Sequence, residues 1–210
     1  MKKIFATVLA ASMMLLGANA FAQVTVGAGY VNSTLASKAG NTKTTTPANG
    51  FYAGASFNIP VSGAFGVAPG VTYEFLASSK ESSFAGIASA KGTTTEHYVG
   101  IPIMLNYNLA LANDLSIVPF LGPTIQCGLA SNTKLEGAIA GAGASTKVNN
   151  YGDKSTYGRF DVLLGGGVAF DFNALEVKVA YNYGMLNRYT GEGDASTHRS
   201  EVTLGFGYKF

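Results

Sequence analysis

Tryptophan is absent from these 210 residues, cysteine occurs once, histidine twice, and only 12% of positions are charged. Each shortage excludes something. Cys127 has no partner for an intramolecular disulfide, and a lone cysteine in an apolar stretch reads as a small buried hydrophobe. His97 and His198 belong to no cluster with metal-ligand spacing. His198, Ser200 and Glu201 supply the residue types of a nucleophilic triad, but Ser200 and Glu201 face opposite sides of one strand. No catalytic, cofactor-binding or metal residue is therefore assigned. The mature region also lacks any run of 18 apolar residues. Its longest is VLLGGGVAF, residues 162–170, so no spanning helix is expected.

What is present begins with MKKIFATVLAASMMLLGANAFA. Lys2 and Lys3 precede an apolar stretch from Ile4 to about Gly17, with small residues at Ala20 and Ala22. This predicts a signal peptide over 1–22, cleaved after Ala22, and an exported domain over 23–210. The formal net charge of +2 resides in Lys2 and Lys3, which leaves the exported part neutral. Nucleic-acid binding has no compositional support. A mean hydropathy of +0.21 is high for an exported chain without a spanning helix.

Period-two alternation predicts eight strands: 23–32, 50–60, 65–76, 95–108, 115–129, 157–171, 174–186 and 198–210. Each meets or exceeds the roughly 9 to 11 residues of a tilted membrane strand. The connectors alternate in length. Those at 33–49, 77–94, 130–156 and 187–197 are long, and those at 61–64, 109–114 and 172–173 are short. This predicts an all-β fold, an eight-stranded antiparallel up-and-down transmembrane barrel with both termini on the short-turn side. The long connectors are Ser, Thr, Gly and Asn rich and read as mobile exposed loops. They carry eight basic and five acidic residues, a basic rim suited to phosphate-bearing lipid.

One strand face is bulky, as in Phe65, Val67, Val71, Tyr73 and Phe75. The other is small or charged, as in Gly66, Ala68, Gly70, Thr72 and Glu74. By parity the inward charges are Glu74, Glu96, Arg159, Asp161, Glu176, Lys178, Arg199, Glu201 and Lys209. An eight-stranded lumen is just wide enough to be filled by side chains. These charges are therefore expected to pair across it as a polar plug, with Arg159 and Asp161 facing Glu74, Lys178 and Glu201. Pro69, Pro102, Pro119 and Pro123 lie inside strands, and bulges beside Gly70, Gly100 and Gly122 are expected to accommodate them.

Thr203-x-Gly205-x-x-Tyr208-x-Phe210 resembles the C-terminal signature by which bacterial outer-membrane barrels are recognised by their insertion machinery. EHYVGIPIMLNYNL, LSIVPFLGPTIQCGL and GRFDVLLGGGVAFDFNALEVKVAYNYGML together resemble the PorT-like outer-membrane β-barrel family. The opening VTVGAGYVNS and the final strand are similar to small OmpX-like and OmpA-like barrels. The resemblance implies an outer-membrane barrel with both termini periplasmic and long loops extracellular. Expected partners are outer-membrane lipid and lipopolysaccharide, met by the basic rim, the insertion machinery, and host or matrix ligands of the loops. A monomeric, non-catalytic surface or structural protein is expected, with a secreted β-sandwich binding module or a narrow gated pore as alternatives.

If Phe210 is the residue read during insertion, Phe210→Ser should sharply lower the amount of protein in the outer membrane. Fractionation checks this, and normal insertion of the variant would remove the assigned role.

Overall fold

Alternation of apolar and small side chains becomes a ladder of antiparallel pairs in the computed structural model, which describes residues 23–84, 88–139, 142–152 and 155–210. The strands are β1 (Gln23–Ala39), β2 (Thr42–Ser62), β3 (Phe65–Phe84), β4 (Ala88–Tyr107), β5 (Leu109–Ala112), β6 (Leu115–Ile139), β7 (Ala142–Asn149), β8 (Phe160–Phe172), β9 (Leu175–Gly184) and β10 (Ser196–Lys209). Eight of them close a ring in the order β1-β2-β3-β4-β6-β8-β9-β10, with β10 pairing back onto β1. β5 and β7 are short additions that pair with β6 alone. A ring has no second sheet to pack against, so the sandwich alternative does not describe this chain. The residues assigned to a signal peptide, Ala20 and Ala22 included, lie outside the described residues.

The outward set is apolar and exposed: Val26, Tyr30, Ile101, Leu121, Leu164, Val179, Leu204 and Phe206. Water would penalise such a surface, whereas hydrocarbon accepts it and demands only that the backbone be satisfied internally. Rings collect at both ends of this belt. On the short-turn side Phe65 meets Tyr107 at 4.6 Å and Tyr208 meets Phe210 at 4.8 Å. On the other side Phe75 lies between Phe51 and His97, at 5.3 and 5.2 Å. Cys127 is half-buried, with the outward parity of Leu121 and Ile125.

The structure corrects the strand ends. Much of 33–49, 77–94 and 130–156 is strand rather than loop. β1 and β2 remain paired up to Ala39↔Thr42, β3 and β4 up to Phe84↔Ala88, and β6 and β7 up to Ile139↔Ala142. Their Ser and Thr residues do not mark the ends of strands. Thr is a good strand former, and the hydroxyls pair across the ladder, as in Thr94 with Thr133 at 2.9 Å. Tight turns sit at Gly40 and Gly63, both with φ of 57°, and at Asn173, with φ of 56°. β8 starts at Phe160 instead of 157, and β9 ends at Gly184 instead of 186.

The prolines are accommodated differently from expectation. No register shift lies beside Gly70, Gly100 or Gly122. The β2–β3 ladder pauses opposite Pro69, between Ser56↔Gly70 and Ile59↔Val67, and resumes in register. The β3–β4 ladder pauses opposite Pro102, and the β4–β6 ladder opposite Pro123. Pro119 lies just past Asn106↔Phe120, the last pair of β4 with β6. On its other side each proline stays paired: Pro69↔Ile103, Pro102↔Thr124, Pro119↔Val168 and Pro123↔Leu164. A strand residue aims its N–H at one neighbour only, so losing that donor opens one ladder for one step. The shifts that do occur lie at Pro60/Ser62, at Ala110/Ala112 and at His97/Tyr98, where Leu129 is the extra residue.

Inside the ring, Tyr52 crosses the β1–β10 seam. A Cβ at Gly205 would stand 1.9 Å from its hydroxyl, and one at Gly29 would stand 2.7 Å from its ring. Gly205→Val should therefore destabilise the barrel by about 1–3 kcal/mol through overpacking. Tyr52→Ala should relieve that cost in the double variant. The temperature at which the folded gel band converts to the unfolded one measures both effects.

Candidate functional site

Small residues on the inward face leave a narrow lumen, and the charged side chains share it in layers. The central layer is built on Arg199 of β10, which is fully buried. Its Nη2 contacts Glu74 Oε2 of β3 at 2.6 Å and also Glu201 Oε2. Nη1 donates to Gln126 Oε1 of β6 at 2.8 Å, and Nε donates to Ser33 Oγ of β1 at 3.0 Å. Two further bonds close the network. Gln126 Nε2 donates to Glu74 at 3.0 Å, and Asn182 Nδ2 of β9 donates to Glu201 Oε1 at 3.2 Å. The Arg199 guanidinium also lies 4.3 Å from the centre of the Tyr98 ring of β4. Six of the eight ring strands thus meet in one network centred on this side chain.

Beneath it, near the short turns, Lys209 pairs with Asp171 and lies 3.9 Å from Glu176, which is 3.8 Å from Lys178. A cavity of about 140 Å³ separates the two layers, lined by Tyr52, Asn106, Glu74, Glu201, Glu176 and Lys178 among others. On the opposite side of Arg199 a vestibule of about 550 Å³ runs up between the hairpins, lined by Ser33, Glu96, Ser131, Asn150, Tyr157 and Arg199. It adjoins a groove of about 790 Å³ whose walls include Ser78, Thr94, Thr133 and Thr146. The Arg199 layer lies between the vestibule and the inner cavity.

Of the residues singled out by parity, Glu74, Arg199 and Glu201 come together, and Glu176, Lys178 and Lys209 form the second group. Glu96 stands apart, accepting from Tyr98 Oη at 2.8 Å and Ser131 Oγ at 3.3 Å. Asp161 is buried but faces no arginine within pairing distance. Its Oδ1 takes the N–H groups of Val162 and Leu186, and its Oδ2 has no partner among the described residues. Arg159 is a correction. It is exposed, precedes β8, and donates to the Tyr151 carbonyl at 2.8 Å, because strand parity does not extend before Phe160. Lys178 likewise does not reach the central layer.

Parity missed Gln126, whose amide carries no charge to flag it, and Asp171, which sits at a strand edge. It also missed Arg188, which the composition of its connector marked as a surface charge. Arg188 is buried. Of the signature residues, Thr203 and Gly205 face the lumen. Tyr208 and Phe210 face outward, and the Phe210 N–H donates to Val24 O at 2.8 Å.

Both histidines belong to the outer girdle. His97 Nδ1 lies 2.6 Å from Tyr73 Oη, and the His198 ring stacks on Tyr183 at 5.9 Å. Ser200 has the same outward parity as His198, while Glu201 is buried inside. No group of His, Cys, Asp and Glu suited to a metal occurs among the described residues.

A family described as outer membrane protein beta-barrel domain matches residues 16–188. No curated protein matches the chain. Among solved structures it is similar to Ail, the attachment invasion locus protein of Yersinia pestis, in complex with the heparin analogue sucrose octasulfate. That likeness has 14% identity and a TM-score of 0.42, covering 90% of this chain and 99% of Ail. Neisserial surface protein A is similar at 14% identity and a TM-score of 0.47, covering 89% and 97% of the two chains. The outer membrane enzyme PagL is similar at 12% identity and a TM-score of 0.33, covering 89% and 98%.

Removing Arg199 leaves two buried carboxylates facing each other. Arg199→Ala should cost about 3–5 kcal/mol, the scale for stripping a buried ion pair of one partner. Glu74→Gln should cost less, since Glu201 still neutralises the guanidinium. Arg159→Ala, at an exposed position, should barely move the conversion temperature of the folded gel band. Equal effects of Arg199→Ala and Arg159→Ala would contradict the assignment.

Proposed function

The chain belongs to the outer membrane protein β-barrel domain family, and from that premise we propose a monomeric, non-catalytic surface barrel whose lumen is closed and whose long hairpins make the contacts. The observation that carries the reading is the Arg199 layer. One guanidinium ties Glu74, Glu201, Gln126 and Ser33 across the ring, between the vestibule and the inner cavity. Closure supports a surface role over a pore. The outward-facing histidines, each against a girdle tyrosine, support a structural part for them over acid–base chemistry.

In this reading the signal peptide over 1–22 directs export, and Thr203, Gly205, Tyr208 and Phe210 are read by the insertion machinery. Both termini stand on the periplasmic side. The finer kinship is PorT-like, on the strength of the IP, GP and YNYG strands. The hairpins face outward and meet lipopolysaccharide, or host or matrix ligands. Lys38 stands directly opposite Lys43, a like-charge pair that an anion would relieve.

A protease-cleavable tag inserted at the Gly40 turn should be cut on intact cells, and the same tag between Asn173 and Ala174 should be protected. Purified protein in planar bilayers should show negligible steady conductance. The reverse cleavage pattern would overturn the orientation, and a stable, large conductance would favour the pore.

A further inference from the structure

Arg188 is buried at 1% exposure, yet no carboxylate lies within pairing distance of it among the described residues. Three tyrosines and one carbonyl receive it instead. Nη1 donates to Tyr98 Oη at 3.0 Å and Nη2 to Tyr151 Oη at 3.1 Å. Nε and Nη2 donate to the Gly158 carbonyl at 3.3 and 3.1 Å. The guanidinium carbon lies 4.4 Å from the centre of the Tyr157 ring and 5.2 Å from that of Tyr98. Burial pushes the Tyr151 and Tyr157 phenols up, which keeps them neutral. This is a cation cage with ring faces for the charge and oxygens placed for a planar fork.

The barrel builds the cage. At the bulge, Tyr98 pairs with Gly128, and a Cβ at Gly128 would stand 2.0 Å from the Tyr151 hydroxyl. Only a glycine there leaves the tyrosine its seat. The cage also joins two connectors. Gly158 N donates to Arg188 O at 2.7 Å, Thr190 N donates to Thr156 O at 2.9 Å, and Tyr157 bridges Tyr189. Ser155, Thr156 and Tyr157, in turn, line the vestibule.

We propose that Tyr98, Tyr151, Tyr157 and the Gly158 carbonyl form a guanidinium-binding site beside the vestibule, occupied by the chain's own Arg188, which latches Tyr151 and the 155–158 stretch to the 185–195 connector. Neutral acceptors hold a cation less firmly than a carboxylate does, so the latch is releasable, and an emptied cage takes another guanidinium. It discriminates against an alkylammonium, which lacks the planar fork, and against urea, which is planar but uncharged.

The test uses the full chain folded in detergent, with the fast-migrating gel band as proof of the barrel. Chymotryptic cleavage after Tyr157 and Tyr189 is followed by mass. Wild type should resist, and Arg188→Ala should be cut roughly tenfold faster or more, as local opening allows. Millimolar methylguanidinium should restore protection to Arg188→Ala, while methylammonium and urea should not. The Arg188→Ala/Tyr157→Ala double variant, read after Tyr189, should not be rescued. Arg188→Lys keeps the charge without the fork and should also be cut faster, so the test stands even if the alanine variant fails to fold. Wild-type resistance in the folded variants would overturn the latch. Protection by methylammonium or urea equal to that by methylguanidinium, or rescue of the double variant, would overturn the guanidinium site.

Discussion

Every peptide group in the hydrocarbon belt must find its hydrogen bond within the protein, and the rest of this structure follows from that demand. An open sheet would leave two unpaired edges in lipid, so β10 returns to β1 along fourteen register positions, from Thr25↔Lys209 to Lys38↔Ser196. The same demand fixes where proline is tolerated. Each interior proline aims its donorless nitrogen at a one-step pause or a ladder end and remains paired on its other side. The cost is one missing bond per residue, and the register survives it.

Closure of eight strands sets the radius, and the radius sets the chemistry inside. Side chains on facing walls can touch, so charged groups must pair or remain desolvated alone. Arg199 suits the central position because a guanidinium has donors in several directions at once. A lysine there would hold one or two of its partners and strand the others. Glycine makes room for this crowding. Gly205 and Gly29 let Tyr52 cross the seam, and Gly128 lets Tyr151 reach Arg188.

Above the belt the ladders continue without the lipid constraint. Water can satisfy an exposed edge, so β7 needs only one partner, and β2 parts from β3 beyond Asn49↔Ala77 while β3, β4, β6 and β7 stay one sheet to their tips. Here Ser and Thr replace the apolar outward set while the strand period persists. The two connectors that are not strand fold onto each other through Arg188, and the one before β8 borders the vestibule.

The sequence by itself determined the class of this protein. Alternation from Phe65 to Phe75, from Leu175 to Tyr183 and from Val202 to Phe210 separates a lipid face from a lumen face, because strand geometry alone decides which residues share a side. The eight strands of the ring and the inward placing of Glu74, Glu201 and Arg199 follow from that local rule. Tertiary structure decided whatever depends on which strand lies opposite. Parity cannot show that Arg199 rather than Arg159 meets Glu74, since Arg159 lies before β8 begins and outside the alternating run. Composition read Arg188 as a solvated charge, because three tyrosines at positions 98, 151 and 157 become a cage only once the ring and its bulge bring them together. The Thr-rich hairpins were misjudged for a related reason: polar residues resemble loop when read singly, and show themselves as strand only beside the partner they pair with.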